Sequence, residues 1–189
     1  MTSPLDANAH DPRHGGPSFP LANRLERVGF VIIWRLLAWL LPPPFGWGWR
    51  RLLLRLFGAT IASGAKVYPS ARIWLPRNLT IGAWGSIGPG AICYNQAPIT
   101  LGESAIISQR AFLCAGDHDH RAASHQLITN PITIGANAWV AAEAFVGPGV
   151  TVGPQAILGA RGCAMKDIPA STIWAGNPAT QVGERKAPA

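Results

Sequence analysis

With 189 residues, of which 48% are hydrophobic and only 13% charged, the chain can bury a core but is too short for two full-sized domains. Glycine (21) and proline (17) together make up about a fifth of it, turn punctuation that argues against an ordinary helical bundle. The formal net charge is +7, and three cysteines without a CxxC pair (Cys93, Cys114, Cys163) speak against a disulfide framework or zinc ribbon and for a reducing compartment.

Residues 1–20 are polar, with proline and glycine interspersed, and are predicted to be a flexible N-terminus without a secretory pattern. Residues 21–57 read as a helical segment. Leu25, Val28, Ile32, Leu36 and Trp39 recur at spacings of three and four, the period of one helix face. The apolar run Val28–Leu41 carries Arg35 and falls short of the ~20 residues of a spanning helix. A second helical stretch, Trp47–Phe57, follows Pro42-Pro43-Pro44 and carries Arg50, Arg51 and Arg55. Seven arginines against Asp6, Asp11 and Glu26 give residues 1–55 a net +4. This segment either packs on its own protein with arginines on the wet side or makes peripheral contact with a membrane surface.

From Ile61 the chain repeats. IGANAW (134), VAAEAF (140), VGPGVT (146), VGPQAI (152) and LGARGC (158) are five consecutive hexads, each opening on an aliphatic residue. Earlier copies are IASGAK (61), VYPSAR (67), IWLPRN (73), IGAWGS (81), IGPGAI (87), LGESAI (101) and ISQRAF (107). A six-residue period fits neither an α-helix nor simple strand alternation. It defines a parallel β-helix, each hexad a short strand and turn, three hexads closing a triangular coil of about 18 residues. Position one points inward, a small residue at position five fits inside, and glycine at position two relieves a crowded bend. Neighbouring coils must stack for any of them to be stable. The predicted β-helix spans 58–180, followed by a tail, 181–189.

The period breaks at CYNQAPI, between Ile92 and Ile99, and again between Leu113 and Ile132, where CAGDHDHRAASHQLITNP is too polar to form a coil. Polar excursions on a rigid scaffold are where function usually resides. The second holds His118, His120 and His125.

Four segments carry a resemblance: WRRLLLRLFGATI (49–61), ITLGESAIISQRAFLCAGDHD (99–119), PITIGANAWVAAEAFVGPGVTVG (131–153) and KDIPASTIWAGNPA (166–179). Together they resemble the hexapeptide-repeat (left-handed β-helix) acyltransferases, and within them the acetyltransferases of the colanic-acid-biosynthesis type. The resemblance implies a left-handed coil, a homotrimer, and acetyl-CoA lying between neighbouring coils at the subunit interface. It makes His118 the general base that deprotonates the acceptor hydroxyl. Imidazole titrates near neutrality, so it can take that proton and later return it.

Other candidate roles follow. Asp117 and Asp119 flank His118 and could orient it, bind the acceptor or be solvated. Asn95 is a candidate acceptor ligand or a loop-shaping residue. Trp139, at the outward sixth position, is either an acceptor wall or trimer packing. Ala141, Ala142 and Ala160 match positions whose backbone holds pantetheine, and Lys166, after the last clean hexad, and Arg185, near the end, are candidate contacts to the CoA phosphates. Met165 stands where the family often has a hydroxyl residue. No metal is expected: the other metal-binding branch of this fold draws a histidine from a coil upstream, and none lies between His14 and His118. Nucleic-acid binding has no supporting motif. The predicted function is O-acetyl transfer to a sugar or exopolysaccharide precursor, in the cytoplasm or at the inner membrane face. The alternatives are a small-molecule (serine, galactoside or maltose type) O-acetyltransferase and a non-enzymatic trimeric scaffold.

Overall fold

The computed structural model describes residues 18–186 apart from 122 and 124. Most of the predicted flexible N-terminus therefore lies outside the described residues. Two helices, α1 (Leu21–Leu37) and α2 (Trp47–Leu56), precede the coil.

Each coil contributes one short strand to each of three sides. The first has β1 (Thr60–Ile61), β2 (Lys66–Val67) and β3 (Arg72–Ile73), and the second β4 (Leu79–Ile81), β5 (Ser86–Ile87) and β6 (Ile92–Tyr94). The third has β7 (Ile99–Leu101), β8 (Ile106–Ile107) and β9 (Phe112–Cys114). After a hairpin of β10 (Gly116–His118) and β11 (Leu127–Thr129), the fourth resumes with β12 (Ile132–Ile134), β13 (Trp139–Val140) and β14 (Phe145–Val146). The fifth has β15 (Thr151–Val152), β16 (Ile157–Leu158) and β17 (Cys163–Ala164), and β18 (Thr172–Ala175) and β19 (Thr180–Glu184) close the end. The sheets run β1-β4-β7-β12-β15, β3-β6-β9-β14-β17 and β2-β5-β8-β13-β16-β18-β19, parallel throughout except for antiparallel β18–β19. The segment read as a tail thus supplies β19, which pairs with β18 and covers the last rung.

Register explains the hexads. One column stacks Ile61, Ile81, Leu101, Ile134 and Val152, and another Ile73, Cys93, Leu113, Val146 and Ala164, all at most 5% exposed. Burying each such side chain contributes about 1.5–3 kcal/mol. Cys93 is therefore a packing residue, and burial pushes its thiol up to about 12. Fifth-position alanines such as Ala65, Ala105, Ala138 and Ala156 are fully buried beside these columns.

Two details differ from the reading of the repeat. Left-handed backbone falls at position four, at Asn137, Glu143, Gln155 and Arg161, rather than at the position-two glycines. Position two needs glycine for closeness: a Cβ on Gly135 would lie 2.4 Å from the Pro154 nitrogen in the next coil. The period also breaks a third time. The inward column after Ile73 resumes at Ile81, because the 3-10 turn Pro76–Asn78 adds residues to the first coil.

The helices close the N-terminal end. Phe30 and Trp34 of α1 point inward, with Trp34 Nε1 donating to the Ala71 carbonyl at 3.1 Å. Leu53 and Leu54 of α2 are buried beside them. The arginines of α2 do not form one wet face, although Arg55 is exposed. Arg50 is 0% exposed and its Nη1 donates to the carbonyls of Ala38 (3.0 Å) and Leu41 (2.7 Å), where α1 ends. Arg51 donates to Ala65 O, and Arg55 to Ile61 O. The apolar stripe Leu25, Val28, Ile32, Leu36 and Trp39 is the outward face of the helical segment, each residue more than half exposed. No helix among the described residues is long and apolar enough to cross a membrane.

Candidate active site

The polar excursion after β9 is a regular hairpin. β10 and β11 pair with His118 opposite Leu127, and Asp119 N donates to Gln126 O at 2.8 Å. The hairpin stands on the third coil and carries His118 outward, exposed.

His118 Nδ1 lies 2.7 Å from the backbone carbonyl oxygen of His125. A carbonyl can only accept, so Nδ1 carries the hydrogen and Nε2 keeps its lone pair. The main chain thus orients the ring and sets the tautomer of its neutral form. Neither flanking carboxylate orients it. Asp117 Oδ1 accepts from the His118 backbone N–H at 2.7 Å, and Asp119 Oδ1 from that of Arg121 at 2.9 Å. Both are committed to local turns. The His125 carbonyl has no signature in sequence, because every residue carries one.

His118 opens into a cavity of about 290 Å³ whose other walls are Arg24 and Arg27 of α1, Phe19, Trp74, Tyr94, Gln96 and Leu127. Gln96 Nε2 donates to Tyr94 Oη at 2.8 Å, while its buried Oε1 has no partner among the described residues. Gly116 lies so close that a Cβ there would meet that oxygen at 1.9 Å. Asn95, between them, is not an acceptor ligand. It is 0% exposed; its Oδ1 accepts from the N–H groups of Trp74 (3.0 Å) and Leu75 (3.1 Å), and its Nδ2 donates to Leu75 O (2.6 Å). A side chain with those bonds shapes the loop and cannot reach a substrate. The first break therefore does serve the site, through Tyr94 and Gln96.

Trp139 does not line this cavity. It stands on the outer face of the sheet that contains β13, 42% exposed, between Ile106 and Ile157, with Nε1 donating to Ser108 Oγ at 2.8 Å. Ala142 and Ala160 occupy the same corner one coil apart, and their backbone N–H groups have no partner among the described residues. The Ala141 N–H is used in the ladder, donating to Leu158 O at 2.9 Å. Lys166 is exposed beside a cavity of about 330 Å³ that also includes Met165, Trp174 and Gln181. Arg185 sits elsewhere, its Nη1 donating to the carbonyls of Asn137 (2.7 Å) and Gln155 (3.2 Å). That guanidinium pins the end of β19 to the coil corners. Among the described residues no group of three or more His, Cys, Asp or Glu is placed to hold a metal ion.

With the geometry defined, comparison with known proteins places the chain. No family model matches it. It is 39% identical over 150 residues to an Escherichia coli (strain K12) protein assigned as the colanic acid biosynthesis acetyltransferase WcaF, covering 79% of this chain and 81% of that one. It is 33% identical over 134 residues to Nodulation protein L of Rhizobium leguminosarum bv. viciae, covering 69% of this chain and 70% of that one. Among solved structures, galactoside acetyltransferase in complex with coenzyme A superimposes with a TM-score of 0.81 at 23% identity, over 92% of this chain and 88% of that one. A hexapeptide-repeat acetyltransferase of Vibrio cholerae O1 biovar eltor complexed with acetyl coenzyme A gives 0.80 at 22% identity, over 90% and 93%. The fold is the left-handed parallel β-helix. The chain belongs to the hexapeptide-repeat acetyltransferase family and is an acetyltransferase.

Proposed function

We propose that the protein moves an acetyl group from acetyl-CoA directly to a hydroxyl of a sugar or exopolysaccharide precursor, with His118 as general base. The observation that carries this reading is the Nδ1 hydrogen bond to the His125 carbonyl, which leaves Nε2 as an acceptor at a cavity wall. As the acceptor oxygen attacks the thioester carbonyl, Nε2 takes its proton. The tetrahedral intermediate then collapses, the C–S bond breaks, and the imidazolium returns the proton to the CoA sulfur. The His125 carbonyl steadies the imidazolium through the same Nδ1–H.

In this reading the free N–H groups of Ala142 and Ala160 hold the pantetheine amides, Ala141 keeps the groove narrow and open, and Lys166 faces the CoA phosphates. Trp139 forms one wall of the groove. The working unit is a homotrimer, whose contacts cover the exposed Trp84, Ile106 and Trp139. The outward stripe of α1, with Trp39 and Arg35 at its end, rests on the cytoplasmic face of a membrane, where a growing glycan would be presented. Dependence on acetyl-CoA and three free thiols both suit the cytoplasm.

A CoA-release assay across candidate glycans, with the product weighed by mass spectrometry, tests the proposal. An acetylated sugar is expected; CoA release without any acetylated product would refute the acceptor class.

A further inference from the structure

The cavity at His118 carries charge that proton transfer does not require. Two of its walls are Arg24 and Arg27, and among the described residues none that lines it is a carboxylate. Arg27 is fixed: its Nε donates to the buried Asn23 Oδ1 at 3.1 Å, and its guanidinium lies 4.2 Å from the Trp74 ring centre and 5.6 Å from that of Phe19. Held against these two rings, it keeps both terminal nitrogens without a partner among the described residues. Arg24 stands one helical turn away, where like charges repel, and forms no ion pair among the described residues. The one acid of α1, Glu26, turns away to pair with Arg77 (2.9 Å from Nε) and neutralises neither. Burial and the neighbouring Arg24 both push the Arg27 guanidinium below its ordinary value, though the adjacent Tyr94 opposes this. Two uncompensated guanidinium groups in a partly desolvated cavity are a site for an anion, which they grip by paired N–H···O⁻ bonds.

We infer that the acceptor is anionic: a sugar bearing a phosphate or carboxylate, whose charge sits against Arg24 and Arg27 while its hydroxyl faces Nε2 of His118. The inference rests on the acetyl-transfer reading above and adds to it the charge of the substrate. Trp74 and Tyr94, which also line the cavity, supply an apolar wall for the sugar between the charged and reactive ends.

The test uses three matched probes: a neutral methyl glycoside, its uronate and its phosphate ester. For the full-length protein, kcat/KM is expected to favour at least one charged probe, and the two charged arms separate phosphate from carboxylate. Arg24→Gln, at an exposed position, should lower the charged-over-neutral ratio about tenfold, through KM rather than kcat. Added salt should lower the ratio in the same direction. Lys66→Gln, which removes an exposed charge on β2 away from the cavity, should leave it unchanged. Equal use of neutral and charged probes, or an unaltered ratio in Arg24→Gln, would overturn the inference while leaving acetyl transfer intact. Binding of the same probes by calorimetry, without acetyl-CoA, reads the charge preference even if no probe is acetylated. There, tighter binding of a charged probe that Arg24→Gln weakens supports the inference, and equal binding overturns it.

Discussion

In the coil, the inward residues from Ile61 to Leu158 are at most 5% exposed, whereas α1 buries Phe30 and Trp34 and leaves Leu21, Leu25, Val28, Ile32 and Leu36 at 52–67% exposure. The two regions are both rich in large aliphatics, yet they hide them by different rules. A three-sided coil closes on itself, so the backbone alone decides which side chains point in. A lone helix has no inside; its neighbours choose the face, and α1 has apolar residues on more than one. Here the aromatic face won, because Trp34 also meets a carbonyl and Phe30 packs on Phe57 at 5.3 Å between ring centres. The stripe left outside is free for a membrane.

The comparison can be broken first at the coil. Leu101→Ala empties a fully enclosed position and should cost about 2–5 kcal/mol in urea unfolding; a cost below one would mean that the columns are not the core. Next is the loop at Asn95. Asn95→Ala strands the buried Leu75 N–H and removes one bond each from the Trp74 N–H and the Leu75 carbonyl, which keep the Cys93 oxygen and the Asn78 N–H as partners, and a loss of about 1–3 kcal/mol is expected. If Asn95 read the acceptor instead, stability would hold and KM would rise.

At α1 the expected effect on stability is small. Ile32→Ser and Leu36→Ser should change unfolding by no more than about 0.5 kcal/mol, yet weaken co-sedimentation with anionic vesicles at low salt. Wild-type protein that never sediments with such vesicles would contradict the membrane placement. Smallest of all is the corner where Arg110, Glu143 and Arg161 meet on successive coils. Arg161, by hydrogen bond, and then Arg110 hold the Glu143 carboxyl below its ordinary value of 4.5. A lowered pKa stabilises the fold above the ordinary value and loses that contribution as pH falls through the lowered one. The small melting-temperature gap between wild type and Glu143→Gln should therefore close in acid and in high salt, the group being exposed.

The same contrast explains what the sequence makes legible. The coil follows from hexads because each turn meets the same steric demand, and the inward column repeats it. The break after Ile73 stayed hidden because Leu79 keeps six-residue spacing, although the inward column resumes at Ile81. His118 stands out as a histidine in a polar excursion of a matching motif. Its orienting partner does not, being a backbone oxygen. Arg24 and Arg27 read as helix-surface charge until the fold sets them around the same cavity as His118 and Gln96. Arg185 shows the converse: a cation near the chain end suggests phosphate, and nothing in the sequence announces that its Nη1 meets the carbonyls of Asn137 and Gln155.

Central to this account is that His118 removes the acceptor proton. Steady-state turnover of His118→Ala, measured together with its affinity for acetyl-CoA, tests this most directly. Turnover should fall by about 10²–10⁴-fold with acetyl-CoA binding nearly unchanged, since the proposed donor contacts are the backbone N–H groups of Ala142 and Ala160 rather than His118. Near-normal turnover in that variant, with activity abolished instead by His120→Ala or by a chelator, would contradict it.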